Sequence, residues 1–298
     1  MNRLEEASNK EIAQVICILE AKFRLSDLLR VLPITTATFY YWKRQFNQIT
    51  ENEKIQDLIL YIWNSDKHMG VRRITSELKT KFDLKVNHKR VHRLMQELNI
   101  QGQGFRGKAR KYDSSKGPEG KRVKNHVKRR FTAKYPHQKM TSDVTEFRIP
   151  GDDKRIYLEP IMDLYNKEIL TYSITDGSPN LEFALEPLND LTDDLNNEPY
   201  KHYMHTDQGW QYRHHSWQRK LKKMRVSTSM SRRATCLDNA AMESFFNKLK
   251  VEIGDLKQYK NSEELITAIQ KWITYYNTKR IQMKLGGVSP IEYRQNAA

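Results

Sequence analysis

Apolar residues recur at helical spacing through the first fifty residues of the chain. EIAQVICILEAKF is the first such stretch, and SDLLRVL follows it with Ser26 as a candidate helix cap. After Pro33, TTATFYYWKRQF predicts a third helix that begins on a threonine cap. Three short helices with a tight turn before the third are typical of a helix-turn-helix, although an ordinary helical bundle gives the same pattern. We predict a helix-turn-helix-like domain over residues 1–48.

A second helical set predicts another helix-turn-helix-like domain over residues 49–100. ENEKIQDLILYIWNS and GVRRITSELKTKF come first, and Asn87 then caps HKRVHRLMQELN. The last helix has basic residues on one face and apolar residues on the other, so one face can pack while the other meets phosphates. The residues of this set that we expect to contact DNA are Arg72, Arg73, Lys89, Arg90 and Arg93.

From residue 137 the hydrophobic period changes from that of helices to that of strands. KMTSDVTEFRI, RIYLEPIMDLY and KEILTYSIT predict three consecutive antiparallel strands. Two further strands, KHYMHTD and RVSTSM, alternate with helices, and two more helices end the chain. The order predicts an α/β fold, with a mixed five-stranded sheet and helices over residues 131–298. This arrangement is similar to an RNase H-like catalytic core. All-α helix-turn-helix DNA-binding domains precede it.

The composition of the 298 residues narrows the class of protein. No apolar run reaches transmembrane length, and the N-terminus lacks the apolar block of a signal peptide. Cys17 and Cys236 are the only cysteines, which excludes a disulfide framework and a cysteine-based zinc site. We therefore expect a soluble protein of the cytoplasm, associated with the nucleoid when it is bound to DNA.

The net charge of +16 is concentrated in one short segment. Residues 101–135 hold 12 basic and 2 acidic residues, whereas residues 136–298 hold 23 and 22. Residues 101–130 are also rich in glycine and serine and read as a linker, which ends in Lys128, Arg129 and Arg130. Such a segment beside folded domains favours nucleic acid as the partner over a linker whose charge only aids solubility.

Three carboxylates stand where strands and a helix can bring them together. Asp143 lies in the first predicted strand and Asp207 at the end of the fourth, and ligands gather beyond the carboxyl ends of parallel strands. Glu243 lies on the helix DNAAMESFFNKLK, for which Asp238 is the expected cap, and Lys250 lies two turns along the same face. Converging carboxylates repel one another, and a divalent cation such as Mg²⁺ resolves that repulsion.

The motifs TSDVTEF, HTDQGWQY and DNAAMESFFNKLK resemble the catalytic motifs of DDE transposases and retroviral-type integrases. The 35 residues between Asp207 and Glu243 match the spacing of that group. Together with VNHKRVHRLMQEL and YNTKRIQMKLGGVSPIEYR, the motifs are most similar to the second-frame, catalytic transposase of the insertion-sequence-three family. The resemblance covers roughly residues 10–298.

The resemblance implies catalytic roles, a cofactor and partners. It implies that Asp143, Asp207 and Glu243 are catalytic and hold two Mg²⁺ ions, for which Mn²⁺ can substitute, and that Lys250 contacts terminal DNA. The expected reaction is cleavage and strand transfer of DNA at the terminal inverted repeats of a mobile element and into target DNA. A homodimer or higher oligomer on DNA is expected, and the family suggests an upstream-frame protein with a helix-turn-helix and a leucine zipper.

Two other functions stay open at this stage. A non-catalytic, sequence-specific DNA-binding regulator would keep the helical domains beside an inert core, and its three acids would not share a site. An RNase H-like nuclease would cleave DNA without joining it.

Overall fold

The computed structural model describes residues 8–104, 125–127, 130–151, 153–191, 195, 198–231 and 239–297. Two compact units divide the chain, Met1–Gly102 and Gln103–Ala298. Within the described ranges, no helix is long and apolar enough to cross a membrane.

The regular secondary structure in the described part of the first unit is entirely helical. Its helices are α1 (Asn9–Leu19), α2 (Leu25–Val31), α3 (Thr36–Ser65), α4 (Val71–Phe82) and α5 (His88–Glu97). The two helices expected on either side of residue 48 are one continuous helix, α3, because neither glycine nor proline interrupts the sequence between them. The proposed boundary between two helical domains therefore falls inside α3.

Two separate apolar clusters lie along the first unit. The cluster around Ile16 and Phe39 joins α1 to the first half of α3, and the cluster around Ile59 and Leu94 joins its second half to α4 and α5. The division at residues 48 and 49 stays a prediction, although each half of α3 packs into its own cluster.

Side-chain caps define three of these helix starts. The capping box of Ser8 and Glu11 opens α1, Thr35 accepts from the backbone of Thr38, and Asn87 accepts from the Lys89 nitrogen at 2.8 Å. The predicted cap at Ser26 is wrong, because α2 already begins at Leu25 and its N-terminal cap is made without a side chain.

The second unit is built on a mixed sheet. Its strands are β1 (Lys139–Ser142), β2 (Thr145–Arg148), β3 (Arg155–Asp163), β4 (Ile169–Thr175), β5 (His202–Thr206) and β6 (Val226–Met230). The first predicted strand is divided in two. β1 and β2 both pair antiparallel with β3, and the strand pairing is interrupted between them at Asp143 and Val144. The sheet thus has six strands instead of five, although β1 and β2 lie along the same edge of β3.

Strand directions change across this sheet. The antiparallel meander continues from β3 to β4, while β5 runs parallel to β1 and β6 runs parallel to β5. Helices follow the strands in the order α6 (Leu181–Asp190), α7 (Trp210–Arg213), α8 (His215–Lys223), α9 (Ala240–Glu252), α10 (Ser262–Thr278) and α11 (Pro290–Ala297). The predicted combination of an antiparallel meander and parallel strands is confirmed.

Apolar cores cover both faces of the sheet. One core contains the buried stripes of α9 and α10, including Phe245 and Trp272, against Leu158 of β3. The other core packs α6 and α8, through Leu188 and Trp217, against the opposite face. This three-layer arrangement fixes α9 over one face of the sheet, beside the ends of β1 and β5.

Candidate active site

Two acids follow directly after neighbouring parallel strands. Asp143 comes immediately after β1, and Asp207 comes immediately after β5. Because β1 and β5 are hydrogen-bonded neighbours that run in the same direction, both acids stand at the same edge of the sheet.

Each of these two carboxylates is oriented by its own backbone. The Val144 nitrogen donates to Asp143 Oδ1 at 2.9 Å, and the Gly209 nitrogen donates to Asp207 Oδ1 at 2.8 Å. A Cβ atom at position 209 would lie 3.0 Å from Asp207 Oδ1 and 2.9 Å from the side chain of Gln211. A side chain at position 209 would therefore crowd the Asp207 carboxylate and displace the end of the Gln211 side chain.

The third acid lies on the first turn of α9. Met242, Phe246 and Leu249 form the buried stripe of this helix, as its periodicity predicts, and Phe245 is buried with them. Helical periodicity predicts that Glu243 lies on the border of the core and faces the edge of the sheet instead of open solvent, but in the structure it is on the adjoining face and is exposed. Asp238, the expected cap of this helix, lies outside the described residues, and the observed N-terminal cap residue is Asn239.

Electrostatic interactions connect the three acids. Burial, together with the neighbouring charges of Asp207 and Glu243, raises the pKa of Asp143 to about 7. The hydrogen bond from the Val144 nitrogen and the nearby Asn239 side chain lower this pKa and partly oppose the shift. Burial also raises the pKa of Asp207, against the Gly209 nitrogen and the positive charge of Arg213.

A fourth carboxyl group, Glu159, lies buried beneath the site on β3. Its Oε1 accepts a long hydrogen bond of 3.4 Å from Ser142 Oγ, and its Oε2 has no hydrogen-bond partner among the described residues. Burial raises the pKa of Glu159 to about 8, with further contributions from Asp143 and Asp207. Sequence analysis missed this residue, although a glutamate inside the otherwise apolar run YLEPIM is a usable signal.

The three acids offer oxygen ligands of the kind that Mg²⁺ and Mn²⁺ prefer. The raised pKa of Asp143 comes first from burial and then from the charges of the neighbouring carboxylates. In the described parts of the chain, however, no three His, Cys, Asp or Glu side chains are gathered closely enough to hold a metal ion. The oxygen atoms of the three acids are suitable ligands for a divalent cation. The exposed Glu243, however, does not lie close enough to the two aspartates to complete such a site.

Lys250 lies on α9 on the same side as Glu243. Its side chain is exposed, and Nζ lies 5.2 Å from the centre of the Phe147 ring in β2. Desolvation lowers the pKa of Lys250, and the charge of Glu146 partly restores it. Lys250 is thus a cation held against the sheet by an aromatic ring.

The structure separates the basic residues predicted to contact DNA into two groups. Arg72, Lys89 and Arg93 are exposed, and Arg93 pairs with Glu97 one turn away at 3.5 Å. Arg73 is largely buried and donates to Asp66 and to the His68 carbonyl, while Arg90 donates to the side chain of Asn52 at 2.8 and 2.9 Å. The first group can meet a phosphate directly, whereas the second group is engaged within the helical unit.

The end of the basic linker is attached to the catalytic sheet. Ser229 Oγ in β6 accepts hydrogen bonds from the backbone nitrogens of His126 and Val127, at 2.9 and 3.3 Å, and lies 2.9 Å from His205 Nδ1. Lys128 and Arg129 lie outside the described residues, and Arg130 is exposed. The described end of this segment therefore joins the sheet through Ser229 of β6, which in turn contacts His205 of β5, the strand that precedes Asp207.

Two neighbours of Asp207 in the sequence serve the packing of the sheet. His205 is buried against Ser229 as described, and Gln208 Nε2 donates to the Ser231 carbonyl at 3.0 Å. Both bonds connect the end of β5 to the end of β6, so they hold the strand that carries Asp207.

Known protein families match parts of both units. The integrase core domain family matches residues 133–236 and again 243–297, and an HTH-like domain family matches residues 50–109. The chain is 37% identical over 274 residues to the putative transposase InsK for insertion sequence element IS150 of Escherichia coli K12, covering 91% of this chain and 94% of that protein. It is 41% identical over 216 residues to an uncharacterized transposase-like protein of Haemophilus influenzae, covering 72% of this chain and 96% of that protein.

More distant similarities cover the same regions. The transposase InsF for insertion sequence IS3A of Escherichia coli K12 is 28% identical over 285 residues, covering 92% of this chain and 95% of that protein. Among solved structures, the HTLV-2 integrase catalytic core domain in complex with magnesium is 14% identical with a TM-score of 0.40, covering 53% of this chain and 96% of that one.

The sheet, its flanking helices and the preceding HTH-like region define a protein with an integrase core of the RNase H-like class. The chain belongs to the IS3 (insertion-sequence-three) family of DNA transposases. The family and fold class inferred from the motifs are confirmed.

Proposed function

We propose that this transposase cleaves DNA at the terminal repeats of its element and joins the released 3′-ends to target DNA, with Asp143, Asp207 and Glu243 as the catalytic acids. The observation that carries the proposal is the placement of Asp143 and Asp207 directly after the neighbouring parallel strands β1 and β5, with the start of α9 and Glu243 beside them, where the negative charges of the other two acids contribute to the raised pKa of Asp143. Acidic side chains without a common role have no physical reason to lie close together, because their negative charges repel one another.

The same three carboxylates would hold Mg²⁺ or Mn²⁺ ions. When bound, such ions would activate water or a DNA 3′-hydroxyl and stabilise the leaving oxygen during phosphoryl transfer. Asp143 and Asp207 each keep one oxygen fixed by a backbone nitrogen, which leaves the other oxygen of each carboxylate available to the site. The exposed Glu243 then completes the donor set from α9.

The positive groups of the chain would hold the DNA. Lys250 stands on the face of α9 that carries Glu243, where its ammonium group can bind a phosphate next to the scissile bond. The exposed Arg72, Lys89 and Arg93 would hold the repeat from the helical unit, and Arg73 and Arg90 would fix the helices that present them. Lys128, Arg129 and Arg130 would guide DNA along the linker.

Oligomerisation follows from the proposed reaction. Two element ends must be brought together before they are joined to one target, so we propose at least a dimer on DNA. A second protein from an upstream reading frame stays a prediction from the family resemblance.

The test is cleavage and joining of labelled terminal-repeat DNA in Mg²⁺, comparing the wild type with Glu243→Gln. We expect the rate of both steps to fall at least about 100-fold while the affinity for the repeat is kept. Glu263→Gln is the matched control, because Glu263 is also an exposed acid in the first turn of a helix, α10, and should leave the rates unchanged.

The other outcomes distinguish the rival functions. Cleavage without joining by the wild type, also after addition of an upstream-frame protein, would indicate a nuclease. Tight binding to the repeat without cleavage in Mg²⁺ or Mn²⁺ would refute the catalytic proposal and leave a DNA-binding regulator.

A further inference from the structure

Asn239 occupies the N-terminal cap position of α9 but does not cap the helix. Two other helices of this unit, α6 and α10, also have an asparagine at the N-terminal cap position, and in both its side chain caps the helix. Asn180 accepts from Phe183 N, and Asn261 accepts from Glu264 N, each at 2.9 Å. The Asn239 side chain makes no such bond, although asparagine is among the best capping residues. It is buried and directed into the catalytic unit instead.

The side chain of Asn239 contacts Thr141 of β1. Thr141 Oγ1 lies 2.9 Å from Asn239 Oδ1 and 2.9 Å from the backbone oxygen of His205 in β5. All three residues are buried. One hydroxyl group therefore bridges α9, β1 and β5, the three elements that carry the acids.

The sequence places each member of this junction close to one acid. Thr141 precedes Asp143 by two residues, His205 precedes Asp207 by two residues, and Asn239 lies four residues, about one helical turn, before Glu243. A shift at the junction would therefore move the three carboxylates relative to one another.

We propose that Asn239 is a positioning residue of the active site, which ties the start of α9 to β1 and β5 through Thr141. The inference rests on the proposed function of the three acids. By this account Asn239 acts on the reaction through the placement of Glu243 against the two aspartates.

The amide nitrogen supports the assignment. Nδ2 of Asn239 is buried and makes no regular hydrogen bond to any described residue. Such an unsatisfied amide is uncommon in a protein interior, and it often indicates a functional role. The side chain nevertheless lowers the pKa of Asp143, as a nearby donor does.

The variants Asn239→Ala, Thr141→Val and their combination test the junction in the full-length protein. Asn180→Ala and Thr171→Val are the matched controls: Asn180 caps α6, and Thr171 Oγ1 donates to the Pro187 carbonyl at 2.8 Å away from the acids. The measurements are the cleavage rate of terminal-repeat DNA in Mg²⁺, the KM for that DNA, and the calorimetric affinity for Mn²⁺ alone. Urea unfolding in EDTA reports stability without metal.

We expect Asn239→Ala to lower kcat and the Mn²⁺ affinity by about 10–100-fold with an unchanged KM, as changes to groups that orient metal ligands do. Thr141→Val should act in the same direction, Thr141→Ser should restore most of the activity, and the double variant should be no worse than the more damaged single variant. The two controls should lower stability without changing the Mn²⁺ affinity.

Three results would overturn the inference. These are an Asn239→Ala protein within twofold of wild type in both kcat and Mn²⁺ affinity, effects of the two single variants that multiply, or an equal loss in Asn180→Ala. A wild-type protein that fails to cleave would instead refute the proposed function, and the Mn²⁺ affinities would still decide whether Asn239 positions the carboxylates.

Discussion

Glu159 offers a direct measurement of how strongly the sheet desolvates the groups beneath the acids. Its side chain is fully buried, its hydrogen bond from Ser142 is 3.4 Å long, and its pKa is raised by burial to about 8 from an ordinary value of 4.5. A shift of this size corresponds to an upper limit of about 5 kcal/mol of stability, at roughly 1.4 kcal/mol for each pKa unit.

The direction of the pH dependence follows from this shift. Between pH 4.5 and about 8 the folded state retains the Glu159 proton that the unfolded state has already released. Stability from this group is therefore present at low pH and is lost as the pH rises through that window. From about pH 5.5 to about pH 9, the wild type should lose about 3 kcal/mol more than Glu159→Gln, which cannot ionise.

The assay is urea unfolding in EDTA at several pH values, with Glu146→Gln as the control. Glu146 lies in the same sheet but is exposed, where it pairs with Arg155 at 3.1 Å, so its variant should follow the wild-type pH dependence. If Glu159→Gln and wild type stay parallel within about 0.5 kcal/mol over the whole range, the group titrates normally and the reasoning is wrong.

Three further changes test the packing that holds the site. Arg280→Met should cost about 3–5 kcal/mol in urea unfolding, because it removes the guanidinium group that pairs with the buried Glu252 carboxylate. Arg155→Met at an exposed pair should cost under about 1 kcal/mol, and equal losses would contradict the burial argument. Phe245→Ala should cost about 3–5 kcal/mol by opening a cavity under α9, and a loss below about 1 kcal/mol would show that the core there is loosely packed. Asn87→Ala should cost about 1 kcal/mol through the lost cap of α5 and weaken repeat binding, which a gel-shift titration measures; unchanged binding would place the DNA contact elsewhere.

The sequence by itself determined the class of fold and the candidate acids. The change of hydrophobic period near residue 137 separates helices from strands, because side chains alternate with a period of two in strands and about 3.6 in helices. The buried stripe of α9 followed from the same periodicity, with Met242 and Leu249 fully buried in the structure. The motifs around Asp143, Asp207 and Glu243 identified the family because several of them occur in order.

Only the tertiary structure decided how these elements meet. No local pattern announced that the first strand is interrupted at Asp143, because strand pairing depends on neighbours distant in the sequence. The burial of Glu159 depends on the helices that cover β3, and the junction of Asn239 with Thr141 joins residues 98 positions apart. Such contacts arise from packing across the sheet, so the chemistry around the acids is a property of the fold.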